Sequence, residues 1–250
     1  LLVTSGAVAL GRRALLDDHA QRALCAAVGQ AELLSLYQEI AHEHNIRIGQ
    51  LLLSRPHFLE RNHFLHLQQQ MTQLLESGVV PIINENDALV ADTAWSFVDN
   101  DSLAAILAVS FRVQELILVT HVDGLFTADP QIDLGAELIT EVNDVNQQLL
   151  RYCSDSVSAG GRGGMLSKLK AARICTNAGV ATRIINGLKP GTLRRGVCGE
   201  EPLGTLCRAR VRTRSVSNRE RWIIAAKSSA ASIEVDNGAA DALRQGKSLL

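Results

Sequence analysis

The sequence is poor in aromatic residues and in net charge, and these shortages exclude nucleic-acid binding. Aromatic residues make up 4% of the 250 residues, and 25 basic side chains face 26 acidic ones for a net charge of -1. Proteins that follow a nucleic-acid backbone present a basic stripe with aromatic side chains between the charges, and no such stripe is present. We therefore expect no nucleic-acid partner.

Cysteine is scarce and scattered. The five cysteines are an odd number without a C-x-x-C pair, which argues against a disulfide framework and against a zinc site (Cys25, Cys153, Cys175, Cys198, Cys207). His63 and His66 could share one helical face as metal ligands, but no carboxylate or third histidine has a supporting spacing. A solvated helix surface is the favoured interpretation, and we predict no metal site built from protein ligands.

Long hydrophobic runs are also missing. No apolar stretch approaches the roughly 20 residues that a membrane helix needs. The opening residues 1–10 are interrupted by Thr4, Ser5 and Gly6 and lack the basic flank of a signal peptide. We predict a cytoplasmic protein without a membrane partner. Because the chain begins with Leu1 inside an apolar, strand-like run, we also expect that a preceding strand and loop are missing.

What is present is the alternation typical of a parallel sheet covered by helices. Short runs rich in Val, Ile and Leu predict strands at 1–4, 46–53, 79–83, 115–120 and 181–185, with shorter ones near 137–142 and 204–207. Three- and four-residue spacing of apolar residues predicts helices at 26–44, 57–76, 102–112 and 166–178. The sequence predicts an α/β fold, a three-layer αβα sandwich whose ligands lie beyond the carboxyl ends of the strands.

Polar segments follow several of these strands. Thr4-Ser5-Gly6-Ala7 is a turn whose backbone amides could hold an anion, or whose glycine simply permits a tight turn. Asn84-Glu85-Asn86-Asp87 offers hydrogen-bonding groups for the ammonium and carboxylate of an amino acid. Asp99-Asn100-Asp101 begins a helix, where one acid would suffice as an N-cap; the others could hold a metal ion or orient a lysine.

Two longer loops complete the set. Residues 118–130 join a strand end to a turn-rich loop, and residues 160–168 form a glycine-rich loop with a lysine in the following helix. Such a loop lets backbone amides approach phosphate oxygens. Its spacing matches neither the P-loop nor the dinucleotide fingerprint, so by itself it could be a flexible surface loop.

Taken together, these motifs resemble the amino acid kinase family, and within it the kinases that act on glutamate. The resemblance covers essentially the whole chain, and the matching segments are residues 3–7, 84–88, 99–101, 124–130, 155–158, 163–165 and Lys168. The G-L-F-T-A-D-P run at 124–130 is common in the wider family. The N-E-N-D and D-N-D segments point to glutamate.

The resemblance implies roles for particular residues. It implies that Ser5, Asp87 and Asn100 bind glutamate, with Asn84 lining the same pocket, and that Lys168 and Asp101 are catalytic. The implied ATP-binding residues are Thr120, His121, Arg162, Gly163, Gly164, Met165, Leu166, Ser167 and Lys168. Two of these depart from the family pattern: His121 stands where Asp is usual, and Arg162 where Thr is common.

The resemblance also implies an activity and a domain order. It implies phosphorylation of the glutamate side-chain carboxylate by ATP with Mg²⁺, as the first step of proline biosynthesis, with feedback by proline and a homo-oligomeric assembly. The kinase domain would occupy residues 1–217, followed by a linker at 218–231, in which 219–226 predicts the start of a strand, and by the beginning of a PUA-like domain at 232–250. A non-catalytic module of the same fold, or a kinase for another substrate such as aspartate, acetylglutamate or uridylate, is the alternative.

Overall fold

The computed structural model describes residues 1–17, 19–91, 93–128, 130, 133–150, 164–199, 203–211, 216–226, 236, 238, 241 and 242. Its strands are β1 (Leu2–Val3), β2 (Arg47–Leu53), β3 (Val79–Glu85), β4 (Glu115–Thr120), β5 (Leu125–Phe126), β6 (Leu138–Ile139), β7 (Glu141–Val142), β8 (Ala181–Asn186) and β9 (Thr205–Cys207). Its helices are α1 (Ala7–Leu15), α2 (Arg22–Glu43), α3 (Pro56–Leu59), α4 (Arg61–Glu76), α5 (Asp87–Val90), α6 (Asn100–Ser110), α7 (Met165–Asn177), α8 (Thr192–Val197) and α9 (Asn218–Ala226).

The strands of the described residues form two main sheets and a two-stranded ribbon. The first sheet has the order β1-β3-β2, is entirely parallel, and pairs Val3 with Ile83 and Leu53 with Glu85. The second has the order β4-β8-β9-β7, with β4 and β8 parallel and β8 and β9 antiparallel. Strands β5 and β6 form the ribbon. Because most pairs are parallel, their carboxyl ends lie together at one edge.

Helix α6 contributes to two hydrophobic clusters, one beside each of the two main sheets. Asp99 caps it by accepting a hydrogen bond from Ser102 N at 2.7 Å. Leu103 and Leu107 then pack into the cluster that contains Phe58 and Met71, whereas Val109 packs into the cluster that contains Leu169 and Ile184. A helix that is apolar on every side is expected to be buried on every side. The polar first turn of α6 is thereby fixed between the two sheets.

Helices α1 and α2 cross at a pair of glycines. A Cβ atom on Gly11 would lie 1.8 Å from Cys25 O, and one on Gly29 would lie 1.9 Å from Ala7 O. The two backbones therefore approach more closely than any larger residue would allow. The crossing fixes the start of α1 directly after the Thr4–Gly6 turn.

One prediction for the C-terminal part is wrong. Residues 219–226 were predicted as the start of a strand, but they form the helix α9. Ser217 and Glu220 form a capping box, in which Glu220 N donates to Ser217 Oγ at 3.2 Å and Ser217 N donates to Glu220 Oε2 at 2.7 Å. Trp222 and Ala225 pack onto the Phe58 cluster. The division at residues 217, 231 and 250 stays a prediction, since most of 227–250 lies outside the described residues.

In the part of the chain that the structure describes, no helix combines the length and the apolar character needed to cross a membrane.

Candidate active site

The predicted polar segments meet where the first sheet ends and α6 begins. Strands β1 and β3 run parallel, and Thr4 N donates to Ile83 O at 2.8 Å directly before the two chains leave the sheet. Thr4 and Ser5 therefore emerge beside Asn84, and the first turn of α6 brings Asn100 to the same point. The grouping follows from topology, because parallel strands bring their carboxyl ends to one edge.

Two asparagines link these three elements. Asn100 Nδ2 donates to Thr4 O at 2.9 Å and to Asn84 Oδ1 at 3.0 Å. Asn84, which is buried, in turn donates from Nδ2 to Gln30 Oε1 at 3.0 Å. Asn100 Oδ1 is buried and has no hydrogen-bond partner among the described residues. An acceptor of this kind costs free energy unless a ligand donor reaches it. In this arrangement Asn84 holds Asn100 in position, and Asn100 Oδ1 is left able to bind a ligand.

Asp87 lies at the next turn, in α5, and is buried. Its Oδ1 accepts a hydrogen bond from Arg22 Nη2 at 2.8 Å. Beside this pair a cavity of about 400 Å³ opens between α2, β2 and the end of β3. Its apolar walls include Ala26, Leu34 and Leu52, and its polar lining includes Gln30, Gln50, Glu85 and Asp87. A cavity of this size with few polar groups fits a small organic ligand.

Glu85 is the least expected acid of the site. Its side chain is buried and accepts a hydrogen bond from Phe97 N. Burial, together with the nearby negative charge of Asp87, raises the pKa of Glu85 from 4.5 to about 7, in spite of that hydrogen bond. Glu85 therefore changes its charge near neutral pH.

Lys168 and Asp101 form a separate buried ion pair. Lys168 Nζ lies 3.1 Å from both Oδ1 and Oδ2 of Asp101, and the lysine side chain is 9% exposed. Burial raises the pKa of Asp101, although the neighbouring Lys168 acts to lower it. Ser167 Oγ donates to Asp99 Oδ2. These contacts join the first turn of α7 to the first turn of α6.

The predicted nucleotide-binding residues that the structure describes lie in two places, at the start of α7 and at the end of β4. Gly164 is the N-cap of α7, while Met165 and Leu166 pack against the hydrophobic core, so only their backbone groups remain for a phosphate. Arg162 and Gly163 lie outside the described residues. Thr120 and His121 are at the end of β4, where Thr120 pairs in register with Asn186. No hydrogen bond within the described ranges joins Thr120 or His121 to the Asp101–Lys168 pair.

A hydrogen-bonded group follows the ends of β4 and β8. Asp123 accepts from Lys189 Nζ at 2.6 Å and from Asn186 Nδ2 at 2.9 Å. The two hydrogen bonds lower the pKa of Asp123, so this carboxylate stays ionised. His121 is exposed beside the group.

Sequence reasoning did not identify Arg22 and Gln30. Both belong to α2, far in sequence from the motifs that they contact, and both are of residue types that are common on helix surfaces. Their eight-residue spacing places them on one face of the helix two turns apart. That spacing was the available signal, but it indicates only an amphipathic helix until the position of α2 is known.

Comparison with known proteins gives a consistent result. Residues 1–186 match the amino acid kinase family. The glutamate 5-kinase of Proteus mirabilis (strain HI4320) is 40% identical, and that of Serratia proteamaculans (strain 568) is 41% identical; each match covers 100% of this chain and 68% of the relative. The chain thus spans about two thirds of the length of these relatives.

Solved structures support the fold. A UMP kinase from Bacillus anthracis matches with a TM-score of 0.52 at 18% identity, over 83% of this chain and 76% of that one. An isopentenyl phosphate kinase matches with a TM-score of 0.51 at 20% identity, over 81% of this chain and 77% of that one. At these identities the likeness concerns the fold alone. The α/β fold with mainly parallel strands that the sequence predicts is confirmed.

Proposed function

The chain belongs to the amino acid kinase family, in its glutamate 5-kinase branch, and on that premise we propose that it transfers the γ-phosphoryl group of ATP to the side-chain carboxylate of L-glutamate. The products are glutamyl 5-phosphate and ADP, and the reaction is the first step of proline biosynthesis. The observation that carries this proposal is the identity of 40–41% to glutamate 5-kinases along the whole chain. The alternative of a non-catalytic module of the same fold has no comparable support.

The acceptor chemistry fits the groups that the site offers. The attacking oxygen belongs to a carboxylate, which is already ionised at neutral pH, so no general base is needed. One carboxylate oxygen forms a bond to the γ-phosphorus while the bond to the ADP oxygen breaks. We propose that Asn100, Asp87 and Ser5 bind the glutamate, and that Asn84 positions Asn100 through the hydrogen bond of 3.0 Å.

Lys168 would stabilise the negative charge that spreads over the transferred phosphoryl group. Phosphoryl transfer depends mostly on positioning and electrostatic stabilisation, for which a fixed ammonium group is suited. Asp101 fixes the ammonium by accepting from it with both oxygens at 3.1 Å. We propose that Lys168 is catalytic and that Asp101 orients it.

The phosphate chain of ATP would lie along the first turn of α7. The backbone amides of Gly164 to Lys168 are at the positive end of this helix, which favours an anion. The ends of β4 and β8, with Thr120 and His121, would hold the remainder of the nucleotide. Among the described residues no three carboxylate, histidine or cysteine side chains form a metal cluster. We therefore propose that Mg²⁺ arrives with ATP and is held mainly by phosphate oxygens and water.

Three further proposals rest only on the similarity of the chain to glutamate 5-kinases. They are a cytoplasmic location, feedback inhibition by proline and a homo-oligomeric assembly. Size-exclusion chromatography with light scattering tests the assembly, and titration of the activity with proline tests the feedback.

The reaction is tested by trapping the acyl phosphate. The protein is incubated with ATP, Mg²⁺ and hydroxylamine, which converts an acyl phosphate to a hydroxamate that forms a coloured complex with Fe³⁺, and ADP release is measured in parallel. L-glutamate, L-aspartate and N-acetylglutamate are compared. We expect hydroxamate with glutamate and strong discrimination against N-acetylglutamate, because a site that pairs an ammonium group rejects an analogue that lacks it. Equal turnover of N-acetylglutamate would contradict the assignment.

A further inference from the structure

An ion pair includes Asp87, one of the residues that line the cavity. Arg22 Nη2 lies 2.8 Å from Asp87 Oδ1, and the two side chains are 29% and 10% exposed. Arg22 is the first residue of α2, and Asp87 is the first residue of α5. The contact therefore joins two helix starts, which lie far apart in sequence.

The guanidinium group of Arg22 is only partly used. Its Nε is buried and has no hydrogen-bond partner in the described part of the chain, while Nη2 donates to Asp87 Oδ1. An arginine has five N–H donors in a rigid fork, which suits it to bind a carboxylate with two of them. A buried donor without a partner is costly, and a ligand that supplies an acceptor removes that cost.

The cavity lies along the part of α2 that follows Arg22. Ala26 and Gln30 follow Arg22 at intervals of four residues, so they lie on the same side of the helix, and both line the cavity. Gln50 also lines it, and its Nε2 is buried without a partner among the described residues. Arg22 thus lies one helical turn before Ala26 and pairs with Asp87, and both Ala26 and Asp87 line this cavity.

We propose that Arg22 binds the α-carboxylate of the amino-acid substrate while Asp87 binds its α-ammonium group. An amino acid carries these two opposite charges on neighbouring atoms, and the Arg22–Asp87 pair presents the complementary charges side by side. In the structure the two residues neutralise each other, so neither charge is left without a partner in a partly buried place. This inference rests on the proposed function and adds a substrate-binding residue to it.

The test removes one charge of the ligand at a time. Binding constants are measured by calorimetry for L-glutamate, for glutarate, which lacks the ammonium group, and for 4-aminobutanoate, which lacks the α-carboxylate. The wild type is compared with Arg22→Met and Asp87→Asn. We expect Arg22→Met to weaken glutamate and glutarate by about 100-fold, the usual size for a lost charged partner, and to leave 4-aminobutanoate within about threefold. For Asp87→Asn we expect the opposite pattern: binding of glutamate and of 4-aminobutanoate is weakened, and binding of glutarate is unchanged.

Two further variants guard against a change of structure. Arg22→Lys keeps the charge and should restore part of the lost affinity for glutamate. Arg13→Met is the matched control, because Arg13 of α1 pairs with Glu32 of α2 at 3.5 Å on the protein surface, and it should change no binding constant. Circular dichroism melting shows whether each variant is folded.

The opposite result is equally clear. If Arg22 only orients Asp87, Arg22→Met weakens glutamate and 4-aminobutanoate equally and spares glutarate, which would overturn the inference. Failure of the proposed function alone is a separate outcome, in which the wild type binds glutamate but forms no hydroxamate with ATP. A wild type that does not bind glutamate would overturn both.

Discussion

Lys168 Nζ is equidistant from the two carboxylate oxygens of Asp101, at 3.1 Å from each. The pair joins the first turns of α6 and α7, and its lysine side chain is 9% exposed. A buried ammonium group is stable only with a partner, and breaking such a pair leaves a charge without compensation. The position of the ammonium group is therefore set by Asp101, which the same turn of α6 places next to Asn100.

We predict that Lys168→Met and Asp101→Asn each lower kcat for glutamate phosphorylation by about 100-fold or more, the usual loss when a preorganised electrostatic group is removed. Because Lys168 acts on the transferring phosphoryl group and Asp101 orients Lys168, the KM values for glutamate and ATP should change much less. Steady-state kinetics with hydroxamate detection measures all three constants.

Two matched variants serve as controls. Lys170→Met alters an exposed lysine two residues further along α7, and Asp144→Asn alters an exposed acid that is paired with Arg210 at 2.5 Å. Both should keep near-normal kcat. Near-normal kcat in Lys168→Met would instead show that another cation stabilises the transferring group.

We predict that Asn100→Ala raises KM for glutamate by about tenfold or more, since the buried acceptor Oδ1 and the hydrogen bonds to Thr4 and Asn84 are lost together. KM for ATP is the internal control and should stay within about twofold, because Asn100 contacts the β1–β3 edge and not the first turn of α7. A parallel rise in both KM values would show that the substitution disturbs the fold of the whole site.

The sequence predicted the main strands because their patterns are local. Runs such as 79–83 and 115–120 are short and rich in Val, Ile and Leu, and β3 and β4 cover them. The structure also brings Asn84 to Asn100 and Asp101 to Lys168, as expected when polar residues follow parallel strands. Their roles in binding and catalysis stay predictions.

What could not be predicted depends on contacts between distant segments. Arg22 and Gln30 reach the site only because α2 crosses α1 at Gly11 and Gly29, and no local pattern indicates that crossing. Residues 219–226 differ from the predicted strand for a local reason. The Ser217–Glu220 capping box is a helix start signal, and a helix begins there.

We predict that Glu85 makes the stability of the protein depend on pH. Its pKa is about 7 in the folded protein and 4.5 in the unfolded chain, so the folded state holds more protons between these values. The stability that depends on the protonation of Glu85 is therefore fully present below about pH 4.5 and is lost as the pH rises through 7. In Glu85→Gln this dependence disappears, while the glutamine oxygen still accepts from Phe97 N.

Urea unfolding of both proteins at pH 5 and pH 8 measures the effect. Asp101, whose pKa burial also raises, titrates in both proteins, so the difference between them isolates Glu85. We expect the free energy of unfolding of the wild type, relative to Glu85→Gln, to fall by about 2 kcal/mol between the two pH values. A constant difference would mean that Glu85 is ionised throughout this range.

At Gly29, backbone packing and helix propensity act in opposite directions. Alanine is favoured over glycine in a helix interior by about 1 kcal/mol, so propensity alone predicts that Gly29→Ala stabilises α2. In the structure its Cβ would lie 1.9 Å from Ala7 O and 2.4 Å from Gly11 N, and these are backbone atoms that cannot move without separating α1 from α2. We therefore expect Gly29→Ala to lower the free energy of unfolding by about 3 kcal/mol, at the upper end for an overpacked site. Chemical denaturation gives the value, with the exposed Gln38→Ala on the same helix as the control, which should change it by less than about 0.5 kcal/mol. Stabilisation by Gly29→Ala would show that the helices do not cross at this glycine, and that α1 does not hold the Ser5 turn as described.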